Sequence, residues 1–92
     1  MKSILQKSNK CIVCGTTLNL EEHHVFYGSF RRSADRYGLT VRLCGVCHRG
    51  NSGVHFNTDL DLKLKKAAQT RFESIYGHDK YMRIFRKNYL EE

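Results

Sequence analysis

Apolar positions along the chain follow three patterns, and each predicts a different element. Val25-Phe26-Tyr27 is a short apolar run directly after His23 and His24, so residues 23–27 read as a strand. Leu39-Thr-Val-Arg-Leu43 alternates apolar with polar and carries β-branched side chains, which predicts a second strand. From Leu60 onward the period lengthens. Leu60, Leu64, Ala67, Ala68, Phe72 and Ile75 recur at three- and four-residue steps, with Lys63, Lys66, Gln69 and Glu73 on other faces, which predicts a helix stopped by Gly77. Asp79 can cap a second helix with Tyr81, Met82, Phe85 and Tyr89 as its apolar stripe. Residues 28–38 are bounded by glycines and rich in arginine, as expected of a loop with room for one helical turn. Residues 1–10 are polar without a period and read as a flexible lead-in.

Strands followed by helices make an α+β chain, and 92 residues suffice for one domain, alone or with a helical extension. So short a chain buries little surface, and a covalent or metal staple would help it. The four cysteines supply one. Cys11-x-x-Cys14 and Cys44-x-x-Cys47 use every cysteine present. Two residues between thiolates let a tight turn aim both sulfurs at one tetrahedral Zn²⁺ about 2.3 Å away, and two such turns complete a closed four-sulfur shell. A closed shell stabilises the fold and does no chemistry. Buried thiols, two disulfides or a thioredoxin-like redox pair are the alternatives. The first ten residues contain only one apolar pair, Ile4-Leu5, and so do not form a signal peptide. The expected compartment is therefore the cytoplasm, where paired cysteines hold metal more often than they form disulfides.

The formal charge of +7 points to a polyanionic partner, either nucleic acid or an acidic membrane surface. No apolar run approaches the roughly 20 residues that a membrane span needs, which favours nucleic acid. Arg31, Arg32, Arg36, Arg42 and Arg49 are the candidate phosphate contacts, and Tyr27, Phe30 and Tyr37 are interleaved with the first of them. The plain alternative is a solvated basic loop with inward-packed rings. Lysines and arginines on the tail helices read mostly as solvated faces.

Four of the five histidines lie beside or between the cysteine pairs. Closing the four-sulfur site would pull the first strand's start towards the second strand's end. His48 directly follows Cys47, and His55 can swing back towards it across the turn that contains Gly50 and Gly53. His23 and His24 are consecutive on a strand and face opposite ways, so one can bind a metal while the other meets a substrate. A neutral imidazole can take a proton from water at cellular pH, and a divalent ion held by few ligands keeps positions open for a phosphate oxygen. Arg31, Arg32 and Arg49 are the leading residues to clamp that phosphate. The competing view makes His48 and His55 capping or core residues and His23/His24 a surface pair. His78 reads as a helix-end residue.

Glu22-His23-His24-Val25, Leu43-Cys44-Gly-Val-Cys47-His48 and Gly53-Val-His55 together resemble the HNH (ββα-metal) nuclease family, especially small phage-associated members with a four-cysteine zinc. The resemblance spans residues 11–56. It implies a zinc-stapled ββα-metal core over residues 11–57, two C-terminal helices over residues 58–92 packed on it, and a DNA endonuclease or nickase. It also implies that His23 and His48 bind a catalytic divalent cation, Mg²⁺ or another, and that His24 is the general base. His55 is the further metal ligand, with Asn51 as its rival. The family's middle asparagine, which helps to orient the base, has no counterpart here: Leu39-Thr40-Val41-Arg42 stands in its place. Its task passes to Asn51, Asn57 or a backbone carbonyl. Otherwise the chain is a catalytically weak or inactive zinc module of the same fold that binds nucleic acid or a protein partner. The implied setting is a bacterial or phage-infected host cell. Oligomeric state is not encoded in these motifs.

Overall fold

The computed structural model describes residues 2–50 and 53–90 of the chain. Two strands, β1 (Leu20–His24) and β2 (Thr40–Cys44), pair antiparallel with Leu20 opposite Cys44 and His24 opposite Thr40. Between them lie a 3-10 turn, Gly28–Phe30, and a short helix, α1 (Arg31–Arg36). Helix α2 (Gly45–Arg49) follows β2 without a break, and α3 (Thr58–Tyr76) and α4 (His78–Phe85) complete the chain. The result is an α+β fold with one two-stranded sheet and four α-helices among the described residues.

β1 begins three residues earlier than its apolar run suggests and ends before Val25. Alternation explains this. Glu21 and His23 share a face with Val41 and Leu43, while Glu22 and His24 share the other with Thr40 and Arg42. The strand's polar residues serve sites on both faces. Val25 and Phe26, by contrast, leave the sheet and enter the core, the first keeping a 3.1 Å hydrogen bond from its N–H to Leu39 O. The segment between the strands is more helical than expected: every residue of 28–36 is in the 3-10 turn or in α1. Likewise the second cysteine pair sits at the start of a helix, with Cys44 at its N-cap.

β2 would expose a free edge, and the segment from Ser3 to Ile12 lies along it instead of fraying. Ile4 N–H donates to Gly38 O at 2.9 Å, Arg42 N–H donates to Gln6 Oε1 at 2.7 Å, and Ile12 N–H donates to Arg42 O at 2.9 Å. A Cβ at Gly38, whose φ is +71°, would sit 2.3 Å from Lys2 O, so glycine is required for this close approach.

The apolar stripes of α3 and α4 join a single core with the hairpin. Phe26, Phe72, Tyr81 and Phe85 are buried together, with the Phe26 and Phe85 ring centroids 4.6 Å apart. Asn57 Oδ1 accepts from Leu60 N–H at 3.1 Å and caps α3. Gly77, at φ +90°, ends α3 and is itself the N-cap of α4, so Asp79 lies inside the first turn and does not cap it. Buried Gln69 ties the chain's end to α3, donating to Asn88 Oδ1 and accepting from Tyr89 N–H, each at 2.7 Å. No helix of the described residues is long and apolar enough to cross a membrane.

Candidate metal centres

The hairpin brings both cysteine pairs to one end of the sheet. Cys11 lies in a turn closed by hydrogen bonds from its own N–H to Thr16 O at 2.8 Å and from Gly15 N–H to Cys11 O at 2.9 Å. Cys44 ends β2, and Cys47 is one turn later on α2. All four sulfurs lie within 4.8 Å of one another, and those of Cys14 and Cys44 are 3.7 Å apart. A tetrahedral shell with metal–sulfur distances of about 2.3 Å sets its sulfurs about 3.8 Å apart. The cluster therefore has the dimensions to hold a metal ion such as zinc. Burial opposes ionisation of Cys11, but the amides of Cys14, Cys44 and Val13 directed at its sulfur outweigh it and bring the thiol down to about 6. Cys47 is pushed up to about 12 by burial and by the hydrogen bonds of the other three cysteines. Four thiols this close cannot all ionise unless a cation shares their charge.

A second cluster forms on the inner face of the sheet. His23 on β1, His48 on α2 and His55 beyond the turn converge, with ring centroids 5.2 Å (His23–His48), 5.5 Å (His23–His55) and 4.8 Å (His48–His55) apart. One ring nitrogen from each lies within 4.8 Å of the others. The turn that returns His55 is held by Val54 N–H donating to Cys47 O at 2.8 Å. A Cβ at Gly53 would approach Cys47 O and Val46 O to 2.8 Å, so only glycine lets the chain pass so close to α2. Asn51, the alternative to His55, lies outside the described residues.

His23 is 3% exposed, and its Nε2 has no hydrogen-bond partner among the described residues. A buried nitrogen without a partner carries a desolvation cost unless something ligates it. Burial, followed by the neighbouring His48 and His55, depresses the His23 pKa to about 4, so this ring is neutral at cellular pH and offers a lone pair. His48 is aimed by a carboxylate: its Nδ1 lies 2.7 Å from Glu21 Oε1. A carboxylate only accepts, so Nδ1 carries the proton and Nε2 is free to ligate, the usual arrangement of a metal-binding histidine. Glu21 is held below the usual carboxylate range by His48 first and Arg49 second. With one buried, one half-buried and one exposed imidazole, the cluster could hold a divalent ion.

His24 is not part of this cluster. It lies on the outer face, with Nε2 3.1 Å from Asp35 Oδ1 and 3.8 Å from Glu22 Oε1. There it lines a groove of about 730 Å³ together with Glu22, Arg31, Arg32 and Asp35. A neighbouring cleft of about 940 Å³, also bounded by Glu22, adds Lys2, Lys7 and Arg42. Of the expected phosphate contacts, Arg31 and Arg32 face the groove. Arg49 is paired with Glu21, and Arg36 lies beside the Tyr37 ring at the end of α1. Phe30 and Tyr37 turn towards the core, at 6.2 Å from Phe85 and 5.3 Å from Phe72 respectively, and Tyr27 stays exposed. His78 bonds Glu73 at the end of α3, far along the chain from both clusters.

Sequence reasoning missed Glu21, Asp35 and Lys65. Lys65 reaches from α3 to stand 4.4 Å over the Tyr27 ring, and Tyr27 is 6.3 Å from both His23 and His55. Its ammonium is 2.8 Å from Asp61 and 3.2 Å from the Tyr27 hydroxyl. Burial works against its charge, but these two partners outweigh burial and raise its pKa. Nothing in the lysine-rich pattern of α3 separates Lys65 from its solvated neighbours. Comparison with protein-family models, curated proteins and solved structures finds no match to this chain.

Proposed function

We propose that this chain is a divalent-metal-dependent nuclease of the HNH kind that hydrolyses phosphodiester bonds in DNA. The observation that carries the reading is the convergence of His23, His48 and His55 around a buried ring nitrogen with no hydrogen-bond partner among the described residues, beside a four-cysteine cluster that shares helix α2 with it. In this reading the cysteines hold structural Zn²⁺ and the three imidazoles hold the catalytic ion. Imidazole donors suit Mn²⁺, Co²⁺, Ni²⁺ or Zn²⁺ better than Mg²⁺, which prefers oxygen. Once bound, such an ion supplies positive charge for a phosphate oxygen and the leaving oxygen.

The chain's own residues do the rest. His24 is the last residue of β1, so a phosphate seated at the hairpin's end can meet both the inner cluster and the outer groove. His24 accepts the proton of the attacking water. Arg31 and Arg32 hold non-bridging oxygens, and Lys65 adds charge on the side of Tyr27. The further basic residues of the adjoining cleft, Lys2, Lys7 and Arg42, extend the track for a sugar-phosphate backbone.

Nicking of supercoiled plasmid in Mn²⁺, Co²⁺, Ni²⁺ and Mg²⁺ tests the reading. His24→Ala is expected to abolish nicking while DNA affinity and fold persist, and nicking by that variant at the parental rate would remove His24 as the base. One observation favours a second reading, a nucleic-acid-binding module without catalysis: the His24 ring is turned to the opposite face of β1 from the three-histidine cluster. A parent protein that shifts DNA on a gel but nicks with none of the four ions establishes that reading instead.

A further inference from the structure

We propose that Asp35 is the positioning residue of His24, fixing the tautomer and aim of the imidazole from helix α1 in place of any asparagine on the second strand. The inference rests on the reading of His24 as the general base and deepens it. Of the other groups able to orient His24, two are engaged elsewhere, and Asn51 lies outside the described residues. Asn57 Oδ1 is engaged as the cap of α3 at Leu60 N–H. Thr40, directly across the hairpin from His24, is buried, and its carbonyl accepts from Ser3 Oγ. Among the described residues, the side-chain hydrogen bond of His24 is to Asp35, with Nε2 and Oδ1 3.1 Å apart. Glu22 Oε1 stands on the same side of the ring, 3.8 Å from the same nitrogen.

The chemistry follows from what a carboxylate can do. An ionised carboxylate accepts and cannot donate, so the neutral imidazole must carry its proton on Nε2. Nδ1 is then left with the lone pair, and it is Nδ1 that takes a proton from water. Once it has done so, the ring is positively charged and Asp35 faces that charge directly. A carboxylate behind a base histidine holds the useful tautomer and stabilises the imidazolium without being protonated itself. The fold supplies Asp35 through the 3-10 turn Gly28–Phe30, which reverses the chain after β1 and lays α1 along the groove. Arg31 and Arg32 project from the same helix into the same groove, so the base, its orienting group and the proposed phosphate contacts are carried by two adjacent elements.

The experiment uses full-length, zinc-loaded protein labelled with ¹⁵N-histidine, and His24 resonances are assigned with His24→Gln. Long-range proton–nitrogen correlations at neutral pH are expected to show the Nε2–H tautomer in the parent and in Asp35→Asn, whose side-chain carbonyl still accepts. Asp35→Ala is expected to shift His24 to a mixture of tautomers; its side chain is 62% exposed, so the fold should tolerate the loss. Glu22→Gln is expected to leave the tautomer as it is. In plasmid nicking, Asp35→Ala should lower kcat about 10- to 100-fold, the usual cost of removing an orienting partner, with KM changed by less than about threefold. An Nδ1–H tautomer in the parent, or unchanged correlations in Asp35→Ala, overturns the proposal. So does an unchanged kcat in Asp35→Ala. Dependence of the tautomer on Asp35 in a parent that nicks with no ion leaves Asp35 as the orienting partner of His24 and overturns only the nuclease reading.

Discussion

Glu21 touches no proposed substrate, yet its loss should weaken the histidine site more than the loss of any arginine. Its Oε1 lies 2.7 Å from His48 Nδ1 and also accepts from Arg49 Nε at 3.0 Å, so it fixes which nitrogen of His48 bears the proton and where the ring points. Without it, His48 loses its preference for the Nε2 lone pair and gains freedom to rotate. Removing such an outer carboxylate commonly lowers metal affinity about 10- to 100-fold. Glu21→Ala should therefore raise the dissociation constant for Co²⁺ at the histidine site by that factor, and Glu21→Gln by less, because the amide oxygen still accepts. The measurement is a Co²⁺ titration of protein already holding one equivalent of Zn²⁺, followed by absorption and by calorimetry. Arg49→Ala serves as the control: an arginine that is 68% exposed and paired at the surface should change the affinity less than about threefold. Equal affinities for the parent and Glu21→Ala would refute the orienting role, and an absence of any second Co²⁺ equivalent in the parent would refute the three-histidine site.

The four-cysteine cluster is expected to control folding: Cys44→Ser, or stripping Zn²⁺ with a strong chelator, should remove on the order of 10 kcal/mol of binding energy and unfold the hairpin, visible as loss of the cooperative thermal transition by circular dichroism. An intact transition after complete zinc removal argues against the staple. The His23 pKa, at about 4 in the folded state against an ordinary 6.5, makes stability pH-dependent when the histidine site is free of metal. Above pH 6.5 both states are neutral and nothing is lost; as pH falls towards 4 the unfolded chain binds a proton that the native chain refuses, and stability drops by up to about 1.4 kcal/mol per pH unit. Urea titrations between pH 7.5 and about 5.5 should show this slope in the parent and not in His23→Gln. Lys65→Met should weaken DNA binding about two- to tenfold and flatten its salt dependence by roughly one ion, and an unchanged salt slope would place Lys65 away from the backbone.

Legibility in the sequence tracked how locally each feature is encoded. The cysteine pairs announce their cluster because the two-residue spacing is itself the geometric requirement, and the helix over residues 58–76 follows from its three- and four-residue repeat. His23, His48 and His55 could be gathered on paper because two of them adjoin structural landmarks and the glycines before His55 allow its return. The start of β1 was hidden because Glu21, Glu22, His23 and His24 carry chemistry on both faces of the strand and show no apolar alternation. α1 was hidden by the arginines that crowd it. Glu21, Asp35 and Lys65 escaped for another reason: each acts through a partner 11 to 38 positions away, and no pattern in a single chain links Glu21 to His48 or Lys65 to Tyr27.

The two-stranded hairpin explains why adjacent histidines need not compete for one task. Successive residues of a strand face opposite sides, so His23 meets what lies under the sheet and His24 meets what lies over it. Under the sheet, α2 and the Gly53 turn bring two more imidazoles to His23, whose own burial keeps it neutral. Over the sheet, α1 brings a carboxylate and two guanidinium groups into an open groove. A one-residue slip of β1 against β2 would exchange these partners, placing His24 among imidazoles and His23 against Asp35. The register is guarded against that slip at both ends: Cys44, opposite Leu20, belongs to the metal-sized cysteine cluster, and Val25 is bonded to Leu39 beyond His24. Stability and site geometry are thus coupled through one register, which is why perturbing the cysteines should scatter histidines that are not among the sulfur ligands.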